Sequence, residues 1–185
     1  MSLPIVHYNS PVLRQKGAAV DPADPALPRL VEDMLDTMRA AKGIGLAAQQ
    51  VGQARQLCVV EVPEEMDVDG EGQRLNPDLA MPMVVLNPEI LSASRETWVY
   101  EEGCLSFPEV HGKVTRPFGI RLRYQDAGGV VREVEARGLV ARCLQHEIDH
   151  LNGVLFIDRM SAAKKVALAP RLRRLAAETR SADAG

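Results

Sequence analysis

Aromatic residues make up only 4% of this 185-residue chain, too few for the stacking platforms with which proteins grip single-stranded nucleic acid. Basic charge is not in excess either. The formal net charge is -3, so no global positive field draws the chain onto a polyanion. No apolar run approaches the ~20 residues that span a bilayer. The N-terminus, MSLPIVHYNSPVLRQKG, lacks the basic stretch and continuous apolar stretch of a secretory signal. Three cysteines, Cys58, Cys104 and Cys143, do not suggest a disulfide framework. Together these absences favour a reducing, cytoplasmic setting.

What is present is ordinary for a globular protein: 46% hydrophobic and 25% charged residues. The length suggests one domain over residues 1–185 with a single core. Leu27, Leu30, Val31, Met34, Leu35 and Met38 form one helical stripe. It predicts a helix over Asp24 to Lys42, with Asp24 as N-cap, Pro25 in the first turn and Gly43 as stop. Leu57 to Val62, Met83 to Leu86 and Glu89 to Tyr100 read as strands. Gly119 to Gln125 and Val130 to Ala136 read as a β-hairpin around Ala127-Gly128-Gly129. The acidic, Gly- and Pro-marked stretch from Pro63 to Met81 reads as a mobile surface insertion. Leu139 to Leu151 predicts a helix closed by Gly153. Ser161 caps a last helix that Pro170 interrupts or restarts. Nothing alternates βαβ. The expected class is α+β, with mostly antiparallel strands packed around a central helix.

That helix carries the most informative segment, Gln145-His146-Glu147-Ile148-Asp149-His150. Positions i and i+4 share a helix face. His146 and His150 can therefore grip one metal ion, with Glu147 close enough to handle a proton from metal-bound water. A lone histidine is more often a satisfied structural group; two at this spacing around a glutamate are different. A catalytic site of this kind has three protein ligands and an open position. The third ligand has to come from elsewhere, and Cys104, Cys143, Asp149, His111 and His7 are the candidates. Cys143 reads more simply as a small core residue, and Asp149 as a partner that orients an imidazole.

Three motifs then carry a resemblance over about residues 5 to 165. Glu102-Gly103-Cys104-Leu105-Ser106 resembles the EGCLS motif of peptide deformylases. Gln145 to Gly153 resembles their QHExDHLxG motif, and Gly43 to Gln50 resembles GxGxAAxQ. Three motifs in the family's order are far more specific than HExxH alone. The resemblance implies a hydrolase that removes the formyl group from the N-terminal formyl-methionine of new polypeptides. It makes Cys104, His146 and His150 the ligands of one divalent metal, Fe2+ by the family's habit, with Zn2+, Ni2+ and Co2+ also accepted. It makes Glu147 the proton carrier. It assigns the Gln50 amide and the Leu105 backbone N–H to the developing oxyanion, donors worth roughly 3 kcal/mol each. It places Gly43, Ile44 and Gly45 along the substrate backbone as an added strand, and Leu139 and Cys143 in the pocket for the methionine side chain.

The chain departs from the family pattern at Gln49, where proline is common, and at Arg142, a position often apolar and bordering that pocket. Lys164, Lys165, Arg171, Arg173, Arg174 and Arg180 give the tail from about residue 161 a basic character. A charge run is usually a solvated face, yet a nascent-chain enzyme gains from docking on ribosomal RNA. Two other readings compete. A zincin-type endopeptidase shares HExxH but usually takes a third ligand downstream, where this chain has no histidine or cysteine. A non-enzymatic, metal-stabilised ribosome-associated protein needs neither Glu147 nor Gln50.

Overall fold

The computed structural model describes residues 2–183. Among them are three α-helices, α1 (Leu27–Ala40), α2 (Gly138–Leu151) and α3 (Ala162–Asp183). Seven strands complete the fold: β1 (Gly45–Ala47), β2 (Leu57–Val60), β3 (Met83–Ala93), β4 (Thr97–Gly103), β5 (His111–Pro117), β6 (Gly119–Gln125) and β7 (Val131–Arg137). Five strands form one sheet in the order β1-β2-β3-β6-β7, and β4-β5 form a separate pair. The strands of both sheets pair antiparallel, so the class is α+β. No helix among the described residues is long and apolar enough to cross a membrane.

The run Leu57-Cys58-Val59-Val60 shows why the layers form. All four residues are buried, and alternate side chains leave opposite faces of a strand. Leu57 and Val59 join Leu30, Met34 and Met38 of α1 in one cluster. Cys58 and Val60 join Val140, Leu144 and Ile148 of α2 in another. A strand covered on both faces reads as a continuous apolar run rather than an alternating one. The third cluster gathers Leu13, Phe107, Leu155 and Phe156 beneath the turn that follows β4.

Several boundaries differ from the sequence expectation. Helix α1 begins at Leu27 with Pro28, not Pro25, in its first turn. Asp24 acts just upstream, its side chain accepting the Ala26 N–H at 2.9 Å. The left-handed residue that stops α1 is Lys42, at φ 56°, rather than Gly43. Strand β2 ends at Val60, two residues before the expected Val62. Strand β3 runs unbroken through Asn87-Pro88 by means of register shifts between Leu86 and Glu89 and between Ile90 and Ser92. The chain breaks instead at Ser94–Glu96, and Thr97 opens β4. Helix α3 continues through Pro170. The 63–81 segment lies on the surface but is tied down. Asp67 and Asn76 are buried, and Asn76 bonds both Asp67 and the backbone of Arg137.

Candidate metal centre and catalytic cleft

Helix α2 is buried along nearly its whole length. Gly138 opens it at φ 57°, where a Cβ would strike Leu75 at 2.5 Å. Gly153 ends it at φ 72°, pressed on the Arg14 carbonyl. The 3.6-residue turn carries His146 and His150 to one face, and their ring centroids lie 5.0 Å apart. Cys104 arrives from the end of β4. Its Sγ stands 3.3 Å from His150 Nε2. One donor atom from each of Cys104, His146 and His150 falls within 4.8 Å of the others. Ligands held about 2.0–2.3 Å from a tetrahedral ion stand roughly 3.3–3.8 Å apart, so the three donors fit a single ion with little adjustment. A thiolate with two imidazoles suits Fe2+, Zn2+, Ni2+ or Co2+ alike.

His146 is oriented by a residue whose role is not apparent in the sequence. Its Nδ1 lies 3.0 Å from Glu102 Oε2, which turns Nε2 toward the thiol. Glu102, 6% exposed, also accepts from Arg116 at 2.7 and 3.0 Å and from Arg142 at 2.5 Å. Burial alone would raise its pKa, but the bonds to His146 and Arg116 outweigh that and hold it far below the carboxylate range. Asp149 does not orient an imidazole, as the sequence suggested. It accepts from Arg116 at 2.8 Å and from Arg159 at 2.6 Å. Arg142 does border the cleft, but its guanidinium folds inward onto Glu102 and the carbonyls of Val114 and Trp98. It also lies 5.1 Å from the Trp98 ring.

The two imidazoles sit in opposed fields. Burial lowers His150 well below its usual value, and the His146 and Arg116 charges push the same way. Burial would lower His146 too, but Cys104 and Glu102 outweigh it and raise that group to about 10.

Glu147 is 4% exposed, and its Oε2 has no hydrogen-bond partner among the described residues. Burial raises its pKa to about 7. It packs against Gly45, where a Cβ would meet Glu147 Oε1 at 2.4 Å and Cys143 Sγ at 2.7 Å. Only glycine leaves room there. Cys143 donates to the Ile44 carbonyl at 3.3 Å, and burial raises its pKa well above the thiol range. Gln50, 1% exposed, accepts the Ala47 N–H at 2.9 Å through Oε1. Its Nε2 thereby faces Cys104 Sγ at 3.5 Å and Ser106 Oγ at 3.3 Å. The Leu105 N–H bonds to no carbonyl among the described residues. The Leu105 side chain packs where a Cβ on Gly43 would lie, 2.8 Å from Cδ1.

These groups share one cavity of about 530 Å³. It is lined by Gly43, Ile44 and Gly45 on one wall and by Leu139, Cys143, His146 and Glu147 of α2 on another, with Gln50, Cys104 and Leu105 at its end. His150 belongs to the donor cluster beneath. Of the remaining ligand candidates, His111 lines the mouth and packs over Gly103. His7 lines a separate groove beside α3.

An α+β fold that gathers a thiol, two helical imidazoles and a buried carboxylate around one cleft has the layout of a mononuclear metal-dependent hydrolase. Comparison with known proteins narrows that class. The family model described as polypeptide deformylase matches residues 2–166, and the chain belongs to that family. A peptide deformylase of Opitutus terrae is 53% identical over 187 residues, spanning 98% of this chain and 97% of that protein. One from Rhizobium meliloti is 46% identical over 181 residues, spanning 98% and 97%. The crystal structure of peptide deformylase from Thermus thermophilus superposes with a TM-score of 0.82 at 38% identity, covering 98% of this chain and 99% of that one.

Proposed function

We infer that the protein is a peptide deformylase that hydrolyses the formyl group from N-terminal formyl-methionine and releases formate. The observation that carries this reading is the meeting of Cys104, His146 and His150 beside an unpartnered, buried Glu147 in one cleft, in a chain of this family. Cys104, His146 and His150 would hold one divalent ion, Fe2+ by preference. When bound, such an ion activates water and polarises a carbonyl.

The chain's own residues supply the rest. Glu147 takes a proton from the attacking water and returns it to the leaving amine, a role suited to a carboxyl poised near neutrality. The Gln50 Nε2–H and the Leu105 N–H donate to the oxygen of the formyl group as it gains charge. The oxygen of Gln50 is already held by Ala47, so its donor end needs no reorganisation. The substrate backbone lies along Gly43-Ile44-Gly45, and its first side chain enters between Leu139 and Cys143. The two-histidine helix is the central element around which the strands pack, residues 1–185 act as one catalytic domain, and the protein works in the cytoplasm.

The basic tail gives a second, separable proposal, docking on the ribosome. Lys164 and Lys165 bond backbone carbonyls. Arg171 and Arg174 pair with Glu109 and Glu178, but exposed pairs of this kind are weak and exchange readily. Binding to ribosomes that falls with added salt and is lost on truncation after Ser161 supports docking; salt-insensitive or absent binding contradicts it.

The endopeptidase reading lacks a downstream ligand. After His150 there is no histidine or cysteine, and the Asp158 carboxylate is held by Arg14 and the Leu155 N–H. The test is product analysis on formyl-Met-Ala-Ser. Formate with an intact Met-Ala-Ser supports the proposal, whereas cleavage of an internal bond favours the endopeptidase.

A further inference from the structure

The two donors assigned to the developing oxyanion sit on different parts of the fold. Gln50 belongs to the 3-10 turn Ala48–Val51, which follows β1 of the five-stranded sheet. Leu105 belongs to the turn that follows β4 of the separate two-stranded sheet, closed by the Phe107 N–H on the Cys104 carbonyl at 2.8 Å. Among the described residues no backbone hydrogen bond joins residues 45–52 directly to residues 103–108. The two donors must nevertheless converge on one oxygen atom. Groups that stabilise developing charge act through geometry set in advance, and a displacement of about 1 Å costs up to roughly 100-fold in rate. The spacing between the two turns therefore has to be fixed by a third element.

That element is the N-terminal segment. The Val6 N–H donates to the Gln50 carbonyl at 2.9 Å, and the Tyr8 N–H donates to the Ser106 carbonyl at 2.8 Å. Two residues of chain span at most about 7 Å, so one short piece of backbone limits the distance between the turns. The segment is itself anchored at both ends. Upstream, the Leu3 N–H donates to Thr37 Oγ1 of α1 at 2.8 Å. Downstream, the Ser10 N–H closes a turn on the His7 carbonyl at 3.0 Å, through Asn9 at φ 82°. The Val6 and Tyr8 side chains pack on the cluster of Leu13, Phe107 and Phe156, and the Tyr8 ring centroid lies 4.9 Å from that of Phe107. One side-chain bond completes the bridge, from Gln50 Nε2 to Ser106 Oγ at 3.3 Å, between two buried residues. Neither Val6 nor Tyr8 lines the catalytic cavity. Any effect they have on the reaction passes through the residues they hold.

We propose that Val6 and Tyr8 are positioning residues, whose backbone N–H groups brace the Gln50 and Leu105 turns at the spacing the two oxyanion donors need. This rests on the deformylase reading of the cleft and deepens it. The Val6 N–H can be deleted without touching a side chain, by replacing the amide with an ester through the α-hydroxy analogue of valine. The ester also weakens the Ile5 carbonyl, which accepts no backbone hydrogen bond among the described residues. Val6→Pro deletes the same N–H by ordinary mutagenesis; if it fails to fold, the ester decides. Both are assayed metal-loaded on formyl-Met-Ala-Ser, in the native background and in Gln50→Ala, with metal affinity and Tm recorded. In the native background kcat should fall about tenfold or more, while KM and metal affinity hold within about twofold. In Gln50→Ala the further loss should shrink to about twofold or less, because the donor that Val6 holds is gone. Undiminished kcat in the ester protein would overturn the inference. So would a loss as large in Gln50→Ala as in the native background, since that marks a general loosening of the fold. Both outcomes leave the deformylase reading intact as long as the wild type releases formate. No formate from the metal-loaded wild type would overturn that reading, and this inference with it.

Discussion

Replacing Glu102 by glutamine removes one negative charge from beneath the metal centre and almost no volume. The carboxylate accepts from three groups: Arg116 through both oxygens, Arg142 at 2.5 Å and His146 at 3.0 Å. An amide offers one acceptor and turns the other end into a donor, so at least one contact becomes donor against donor. The two arginines then fare differently. Burial would lower the pKa of Arg116, but Glu102 and Asp149 together outweigh it, and Asp149 remains. Burial already lowers Arg142, and Glu102 is the carboxylate that offsets it. The variant therefore strands a buried guanidinium, a change that costs about 3–5 kcal/mol. For a chain of this size each kcal/mol moves the melting temperature by about 2–4 °C, so Tm should drop by roughly 6–20 °C. Loss of the carboxylate that orients a ligating histidine should also weaken metal binding by about 10–100-fold. Calorimetry and a metal titration read the two effects. Adding Arg142→Met to Glu102→Gln should recover part of the stability, because the stranded charge goes with it, but not the metal affinity. A single variant that melts within about 2 °C of the wild type and binds metal equally well would refute the argument.

Other expectations follow from the same geometry. Gly45→Ala places a methyl 2.4 Å from Glu147 Oε1; kcat should fall by about 100-fold or more, as displaced reacting groups do, and wild-type turnover in that variant would contradict the packing. Cys58 and Cys143 are buried with raised thiol pKa values, Cys143 in the cleft wall, while Cys104 in the same cleft is only half-buried. Alkylation followed by mass spectrometry should modify Cys104 alone after chelation, and no cysteine in metal-loaded protein; rapid labelling of Cys143 would count against this account. For Asp158, burial would raise the pKa, but Arg14 and the Leu155 N–H outweigh it and lower it. A folded pKa below the unfolded value stabilises above about pH 4 and ceases to do so as the pH falls through the folded value. The Tm gap between wild type and Asp158→Asn should therefore be largest near pH 7, worth roughly 1 kcal/mol or less after solvent screening, and should close toward pH 2. A gap that widens in acid would contradict the sign.

The parts of the site that are legible in sequence are those fixed by local spacing. The i, i+4 histidines need only a helix, and α2 spans Gly138–Leu151. Cys104 is singled out by the EGCLS motif alone; residue chemistry leaves it among five candidates. Glu102 stands inside that motif, yet its bonds to Arg116 and His146 cross 14 and 44 residues and leave no local trace. Asp149 misleads for the same reason, since helical spacing from His146 says nothing of Arg116 arriving from β5. The strand His111–Pro117 has no sequence signal of its own. Its residues, HGKVTRP, include glycine, proline and three basic or imidazole side chains, and its partner β4 supplies the pairing. The two-sided burial of β2 is visible as an apolar run, whereas the continuity of β3 through Pro88 rests on register shifts that no periodicity records.

The central claim is that Glu147 moves the proton while Cys104, His146 and His150 hold the ion. The most direct measurement is formate release from a formyl-Met peptide by anaerobically Fe2+-loaded or Ni2+-loaded protein, beside Glu147→Ala with its metal content and Tm recorded. The account predicts release by the wild type, and a variant that keeps metal and fold but loses turnover by at least about 100-fold. Full activity in a metal-replete Glu147→Ala protein would contradict it.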